Sequence, residues 1–195
     1  MVALTFDAGA DTGFAARILD VLDGSGVPAT FGITGRWAAG NPDLVRRMAG
    51  AGHVLMNHTY DHRSYTGVSA RPALLSSEER RTDLERTDEV IRSLVGHTTR
   101  PWFRAPYGDY DASVNAVAGA LGYRYHVHWT VDSLGWQGLS PAAIATRCLD
   151  RTVPGAILLF HVGSASQDAA ALPAIIAGLR ERGYRFGTVA DLIGG

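Results

Sequence analysis

The sequence is poor in several features that would narrow its function by themselves. It has one cysteine, Cys148, in 195 residues, so no intrachain disulfide can form. Cys148 lies in a helix-like stretch from Pro141 to Asp150, where a small buried apolar role is expected rather than a nucleophilic one. No apolar run is long enough to span a bilayer, and no signal-peptide pattern is present. Charge of one sign is lacking as well. The formal net charge is -1, which gives no field for nucleic acid or an anionic membrane. The basic pairs Arg46-Arg47 and Arg80-Arg81 fall on predicted helices and read as solvated faces. Linkers, repeats and low-complexity segments are also missing.

What is present is an ordinary globular composition, 46% hydrophobic and 19% charged. That is enough for one sizeable core, so a single domain over residues 1–195 is expected. Met1 leads straight into Val2-Ala3-Leu4-Thr5-Phe6, which reads as a core strand. A longer native chain is therefore expected, with an export signal or anchor ahead of Val2 and a secreted or cell-surface location.

Short β-prone runs alternate with longer amphipathic stretches. Strands are predicted at Val2–Phe6, Ala29–Ile33, His53–Asn57, Trp102–Phe103, Tyr123–Val131, Ala156–Phe160 and Arg185–Val189. Helices are predicted at Thr12–Leu22, Pro42–Ala51, Ser77–Leu94, Ala112–Leu121 and Asp168–Arg182, with Gly52, Gly122 and Gly183 as stops. This alternation argues for an α/β fold, a distorted (β/α) barrel with about seven parallel strands; a doubly wound open sheet is the alternative.

Titratable or cationic residues follow the predicted strands. Asp7, His58, Arg104, Asp132 and His161 each come directly after one, and in a parallel barrel those ends share a face where active sites are assembled. His58 and His62 are four apart, and a helical turn between them would let both imidazoles meet one ion, with zinc the usual choice. Asp7 is placed as a general base. Arg104 is the natural partner for a buried carboxylate. A pairing of Asp132 with His161 would keep a proton available on the imidazole. Asp11 is read as a cap for the helix near Thr12. His53, His97, His126 and His128 are read as structural.

These residues lie in five ordered motifs that resemble those of the polysaccharide deacetylases of carbohydrate esterase family 4, whose shared unit is the NodB homology domain. The motifs are Thr5-Phe6-Asp7-Ala8-Gly9, His58-Thr59-Tyr60-Asp61-His62, Arg104-Ala105-Pro106-Tyr107-Gly108, Asp132-Ser133-Leu134-Gly135-Trp136 and Leu159-Phe160-His161. The resemblance implies a distorted barrel of seven strands, with Asp7 as base, Arg104 orienting it and His161 as acid. It further implies that Asp132 tunes His161, that the Tyr107 N–H helps form an oxyanion hole, and that Trp136 and Leu159 line the site. His58 and His62 would hold the metal, Zn2+ or another divalent ion such as Co2+. The sequence departs from the family at Ala8, where an aspartate usually supplies the third ligand; Asp11 is a substitute candidate.

The implied reaction is metal-assisted hydrolysis of an N-acetyl group on a carbohydrate polymer or oligosaccharide of peptidoglycan or chitin type. A monomer is expected, with no nucleic-acid partner and no membrane contact from this domain. The rivals are an acetylxylan esterase or small-amide hydrolase of the same superfamily, and a catalytically silent carbohydrate-binding protein.

Overall fold

The computed structural model of the chain describes residues 1–70 and 75–194. In chain order the elements are β1 (Val2–Ala8), α1 (Ala15–Ser25), β2 (Thr30–Ile33), α2 (Gly35–Gly40), α3 (Pro42–Gly50), β3 (Val54–Asn57), α4 (Ser77–Val95), β4 (Trp102–Phe103), α5 (Ala112–Ala120), β5 (Tyr125–His126), β6 (Val131–Asp132), α6 (Pro141–Arg151), β7 (Ile157–His161), α7 (Asp168–Glu181), β8 (Phe186–Gly187) and α8 (Val189–Gly194). The strand order is β5-β4-β3-β2-β1-β7-β6, with β8 on β1. The chain thus has the α/β, distorted (β/α)-barrel class that the alternation predicts.

Local chemistry explains most boundaries. Ser76 and Glu79 form a capping box at the start of α4, with Ser76 Oγ accepting from the Glu79 N–H at 3.2 Å and the Glu79 carboxylate accepting from the Ser76 N–H at 2.8 Å. Ser140 caps α6 through the Ala143 N–H, with Pro141 in the first turn.

The chain divides into two compact units. The first comprises Met1–Phe31, Arg47–Val54 and Trp129–Gly195. Its β1 is buried along its whole length and runs parallel to both β7 and β8. Phe6 stacks between Phe31 and Phe160, each ring centroid 5.3 Å away. Helices α6 and α7 pack together, and α1 packs on α7.

The second unit comprises Gly32–Arg46 and Leu55–His128. Strands β3, β4 and β5 are parallel, and α4 packs against α2 and α5. Its core joins Tyr65, Leu84, Phe103, Val114 and Tyr123.

Several sequence expectations need correction. The single strand predicted over Tyr123–Val131 is two strands: β5 pairs with β4, and β6 pairs with β7. Alternation alone cannot reveal that the chain leaves one neighbour and joins another. The run Arg185–Val189 holds only the two-residue β8, because Thr188 and Asp191 exchange cap-like hydrogen bonds that start α8. Arg80 is not a solvated residue. It is buried, and its guanidinium donates to Ser113 Oγ and the Tyr65 carbonyl. Cys148 is buried as expected, and burial pushes its thiol up to about 12.

Candidate active site

The first unit holds Asp7, Asp11, Asp132, Trp136, Leu159 and His161. Asp7 and His161 are register partners on the parallel strands β1 and β7. Asp132 and Leu159 are partners on β6 and β7. Asp7, Asp132 and His161 thus all sit at the C-terminal ends of parallel strands, as the positional argument requires. Asp7 is nearly buried, Leu159 is buried, and Trp136 is half exposed.

The Asp132 carboxylate is held by its own loop. Oδ1 accepts from the Leu134 N–H at 2.9 Å, and Oδ2 accepts from the Trp136 indole N–H at 3.4 Å. The turn that makes this possible puts Leu134 in the left-handed region, at φ 57°. The Asp132 carbonyl also accepts from the Arg147 guanidinium at 2.7 Å.

His161 has another carboxylate beside it. Its backbone N–H donates to Asp168 Oδ2 at 2.8 Å. Asp168 is fully buried at the start of α7, and burial pushes its carboxyl above the usual range against the pull of the His161 N–H. Sequence reading missed Asp168, because an acid in the first turn of a helix reads as an ordinary dipole partner.

Asp11 does not cap α1. The N-cap is Phe14, which makes no side-chain cap bond. The Asp11 carboxylate instead accepts from the backbone N–H and hydroxyl of Ser164. Those two bonds hold its pKa below the usual carboxylate value. The connection is tight: a Cβ at Gly13, at φ 46°, would collide with the Val162 carbonyl.

The second unit holds His58, His62, Arg104 and Tyr107. The segment from His58 to His62 is not a helical turn. Left-handed backbone at Thr59 (φ 67°) and His62 (φ 58°) folds it instead, bringing the two imidazole centroids to 4.8 Å in an edge-to-face pair. Neighbours fix this fold. Asn57 Oδ1 accepts from the Thr59 N–H at 2.9 Å, and Asp83 accepts from the Tyr60 N–H at 2.9 Å. Gly35 gives its N–H to the Thr59 carbonyl, and a side chain at Gly35 would strike the Tyr60 ring.

His58 Nδ1 lies 2.9 Å from the Arg104 carbonyl. A carbonyl only accepts, so Nδ1 carries the proton and Nε2 keeps its lone pair, the form a metal ligand requires. His58 and His62 therefore fit two positions of a divalent ion. Ala8, buried in β1, offers no donor, and no group of three His, Cys, Asp or Glu side chains suited to a metal occurs among the described residues.

Arg104 is buried, not a surface residue, and donates from Nε to the Val127 carbonyl at 3.0 Å and from its terminal nitrogen to the His128 carbonyl at 3.3 Å. Tyr107 takes left-handed backbone, at φ 60°, and packs edge-to-face on His62 at 4.8 Å. The four non-glycine residues with positive φ among the described residues, Thr59, His62, Tyr107 and Leu134, all fall in the motifs singled out from the sequence. Strained backbone of this kind costs about 1–3 kcal/mol per residue and concentrates at functional sites.

A family model described as polysaccharide deacetylase matches residues 1–126. A peptidoglycan-N-acetylglucosamine deacetylase of Bacillus cereus is 34% identical over 194 residues, covering 98% of this chain and 67% of that protein. A chitooligosaccharide deacetylase of Sinorhizobium fredii is 34% identical over 195 residues, covering 94% of this chain and 87% of the relative. Among solved structures, a pseudoenzyme of carbohydrate esterase family 4 from Bacillus anthracis matches with a TM-score of 0.88 at 31% identity, over 99% of this chain and 65% of that one. On these matches the chain belongs to the polysaccharide deacetylase family.

Proposed function

We propose that this chain hydrolyses acetyl groups from the N-acetylated sugars of a polysaccharide of peptidoglycan or chitin type, using a divalent metal such as zinc or cobalt. The observation that carries this reading is the register pairing of Asp7 with His161 on β1 and β7. Partners on adjacent parallel strands project to one face about 4.8 Å apart, which sets a carboxylate and an imidazole side by side. Asp7 takes the proton of the attacking water. His161 hands a proton to the departing sugar amine, which is too poor a leaving group to go as an anion.

Other residues assist. The Tyr107 N–H, presented by a left-handed turn, is offered to the developing oxyanion. The family resemblance implies that Arg104 orients the base. The exposed Trp136 face suits a sugar ring, and Leu159 gives the acetyl methyl an apolar neighbour. A divalent ion held by His58 and His62 supplies Lewis acidity for the carbonyl and lowers the pKa of water.

A second reading, a catalytically silent carbohydrate-binding protein, draws on one observation: Ala8 stands buried in β1 and offers no donor. Acetate release from peptidoglycan, chitin oligomers and acetylated xylan, each with and without added zinc or cobalt, separates the readings. Release from an N-acetylated polymer supports deacetylation. Release only from xylan assigns an esterase, and no release with any metal leaves the binding protein.

A further inference from the structure

Three buried polar atoms in the first unit have no hydrogen-bond partner among the described residues, His53 Nε2, His161 Nδ1 and Asp168 Oδ1, and the last two belong to neighbouring side chains. They are chemically complementary. An imidazolium carries an N–H at Nδ1 that needs an acceptor, and a carboxylate oxygen is an acceptor that needs a donor. The two residues are already joined, because Asp168 Oδ2 takes the His161 backbone N–H at 2.8 Å.

The surroundings are shaped for this carboxylate. A Cβ at Gly135 would fall inside the van der Waals envelope of Asp168 Oδ1 and 2.6 Å from Ser166 Oγ. Glycine at 135 is therefore what leaves room for the Asp168 side chain. Ser166 Oγ accepts from the Asp168 N–H at 3.2 Å, and Ser133 Oγ accepts from the Gly135 N–H at 3.2 Å, so the walls of the space are themselves tied down. Asp132 is differently placed, with both carboxylate oxygens engaged by Leu134 and Trp136 of its own turn.

We propose that Asp168, rather than Asp132, is the carboxylate that orients His161 and stabilises its charged form, making it a positioning residue for the proposed general acid. Contact between the two orphaned atoms fixes Nε2 as the nitrogen that gives up the proton. Asp168 does not take that proton; its charge offsets the imidazolium before transfer. The inference rests on the deacetylase reading for its kinetic consequence but not for the contact itself.

The experiment has two arms. In the kinetic arm, Asp168→Asn lowers kcat on an N-acetylated chitin oligomer by roughly 10²-fold. Hydrolysis of p-nitrophenyl acetate falls by less than about threefold, because its phenolate needs no proton to leave. Moving the carboxylate across the same space, in the double variant Asp168→Ser with Gly135→Asp, recovers at least about tenfold of the amide loss. A merely structural role predicts equal losses on both substrates and no recovery, and either result overturns the proposal. In the second arm, proton NMR of the parent shows a downfield imidazole N–H resonance that vanishes in Asp168→Asn and in His161→Gln. Its absence from the parent, or its survival in Asp168→Asn, also overturns the proposal. This arm needs no activity, so it stands even if no polymer releases acetate.

Discussion

His126 makes the strongest pH prediction of the fold. Its Nδ1 lies 2.9 Å from Asn115 Oδ1, and its Nε2 accepts the Ala105 N–H at 3.2 Å. A proton added to Nε2 would face that N–H directly and break the bond. Burial, then the charges of His128 and Arg104, lower its pKa to about 3. An imidazole in the unfolded chain titrates near 6.5, so between the two values the unfolded chain holds a proton that the folded chain refuses. The contribution is therefore complete above about pH 6.5 and is lost as pH falls toward the folded value, at up to about 1.4 kcal/mol per pH unit. Two units of acidification cost roughly 3 kcal/mol, a large share of a typical stability of about 5–15 kcal/mol. His53 and His128, also lowered by burial, add to the trend, while Asp83 and Asp168, raised by burial, oppose it.

A difference between variants isolates His126. Its replacement His126→Gln keeps an oxygen able to accept the Ala105 N–H but has no titratable proton. Urea unfolding of both proteins at about pH 7 and about pH 4.5 should show the parent losing roughly 2–3 kcal/mol more than His126→Gln. Parallel losses would refute the reasoning. So would an NMR titration placing the protonation of His126 in the folded protein near about pH 6.

The other predictions are simpler to state. Asp7→Asn should cut acetate release from an N-acetylated polymer by roughly 10²–10⁴-fold with an unchanged melting temperature; near-normal turnover removes Asp7 from the reaction. Ala8→Asp should tighten zinc binding by at least about tenfold in calorimetric titration, since even an outer-shell partner is worth that much. If Asp11 is a ligand, Asp11→Ala weakens zinc binding in the parent much more than in the Ala8→Asp background; an equal or absent effect rules Asp11 out as a ligand. Asp88→Ala should cost roughly 3–5 kcal/mol in urea unfolding, because this buried carboxylate accepts from Thr98, from the N–H and hydroxyl of Thr99, and from Arg100. A loss under about 1 kcal/mol would show that the network is not a stability determinant.

Elements with strong local signals were legible in the sequence. Helix α4 starts where the Ser76 capping box places it and ends at Gly96, and β1, β3, β4 and β7 fall close to where β-branched and aromatic runs put them. The strand-end positions of Asp7, His58, Arg104, Asp132 and His161 followed from the same runs. What stayed hidden depends on the third dimension. The left-handed residues Thr59, His62, Tyr107 and Leu134 carry side chains that give no sign of positive φ, so the four-residue spacing of His58 and His62 suggests only that a helical turn would join them. Asp168 looked like a helix-start acid, because its tie to the His161 backbone depends on the loop between β7 and α7. The short α2 and α8 lack a periodic pattern long enough to detect.

The pairing of β1 has a consequence for how the chain is made. Thr5 Oγ1 donates to the Leu158 carbonyl across 153 residues of sequence, and β1 meets β8 later still. On the ribosome, the apolar run Val2-Ala3-Leu4-Thr5-Phe6 emerges long before β7 exists to cover it. The second unit has no such wait, since its strands β3, β4 and β5 lie within residues 54–126. During synthesis at about 5–20 residues per second, β1 stays without β7 for roughly 10–30 seconds, an interval in which a holdase-type chaperone would find an exposed strand. Nascent chains stalled before residue 157 should therefore aggregate or recruit such a chaperone, and chains extended past β8 should not.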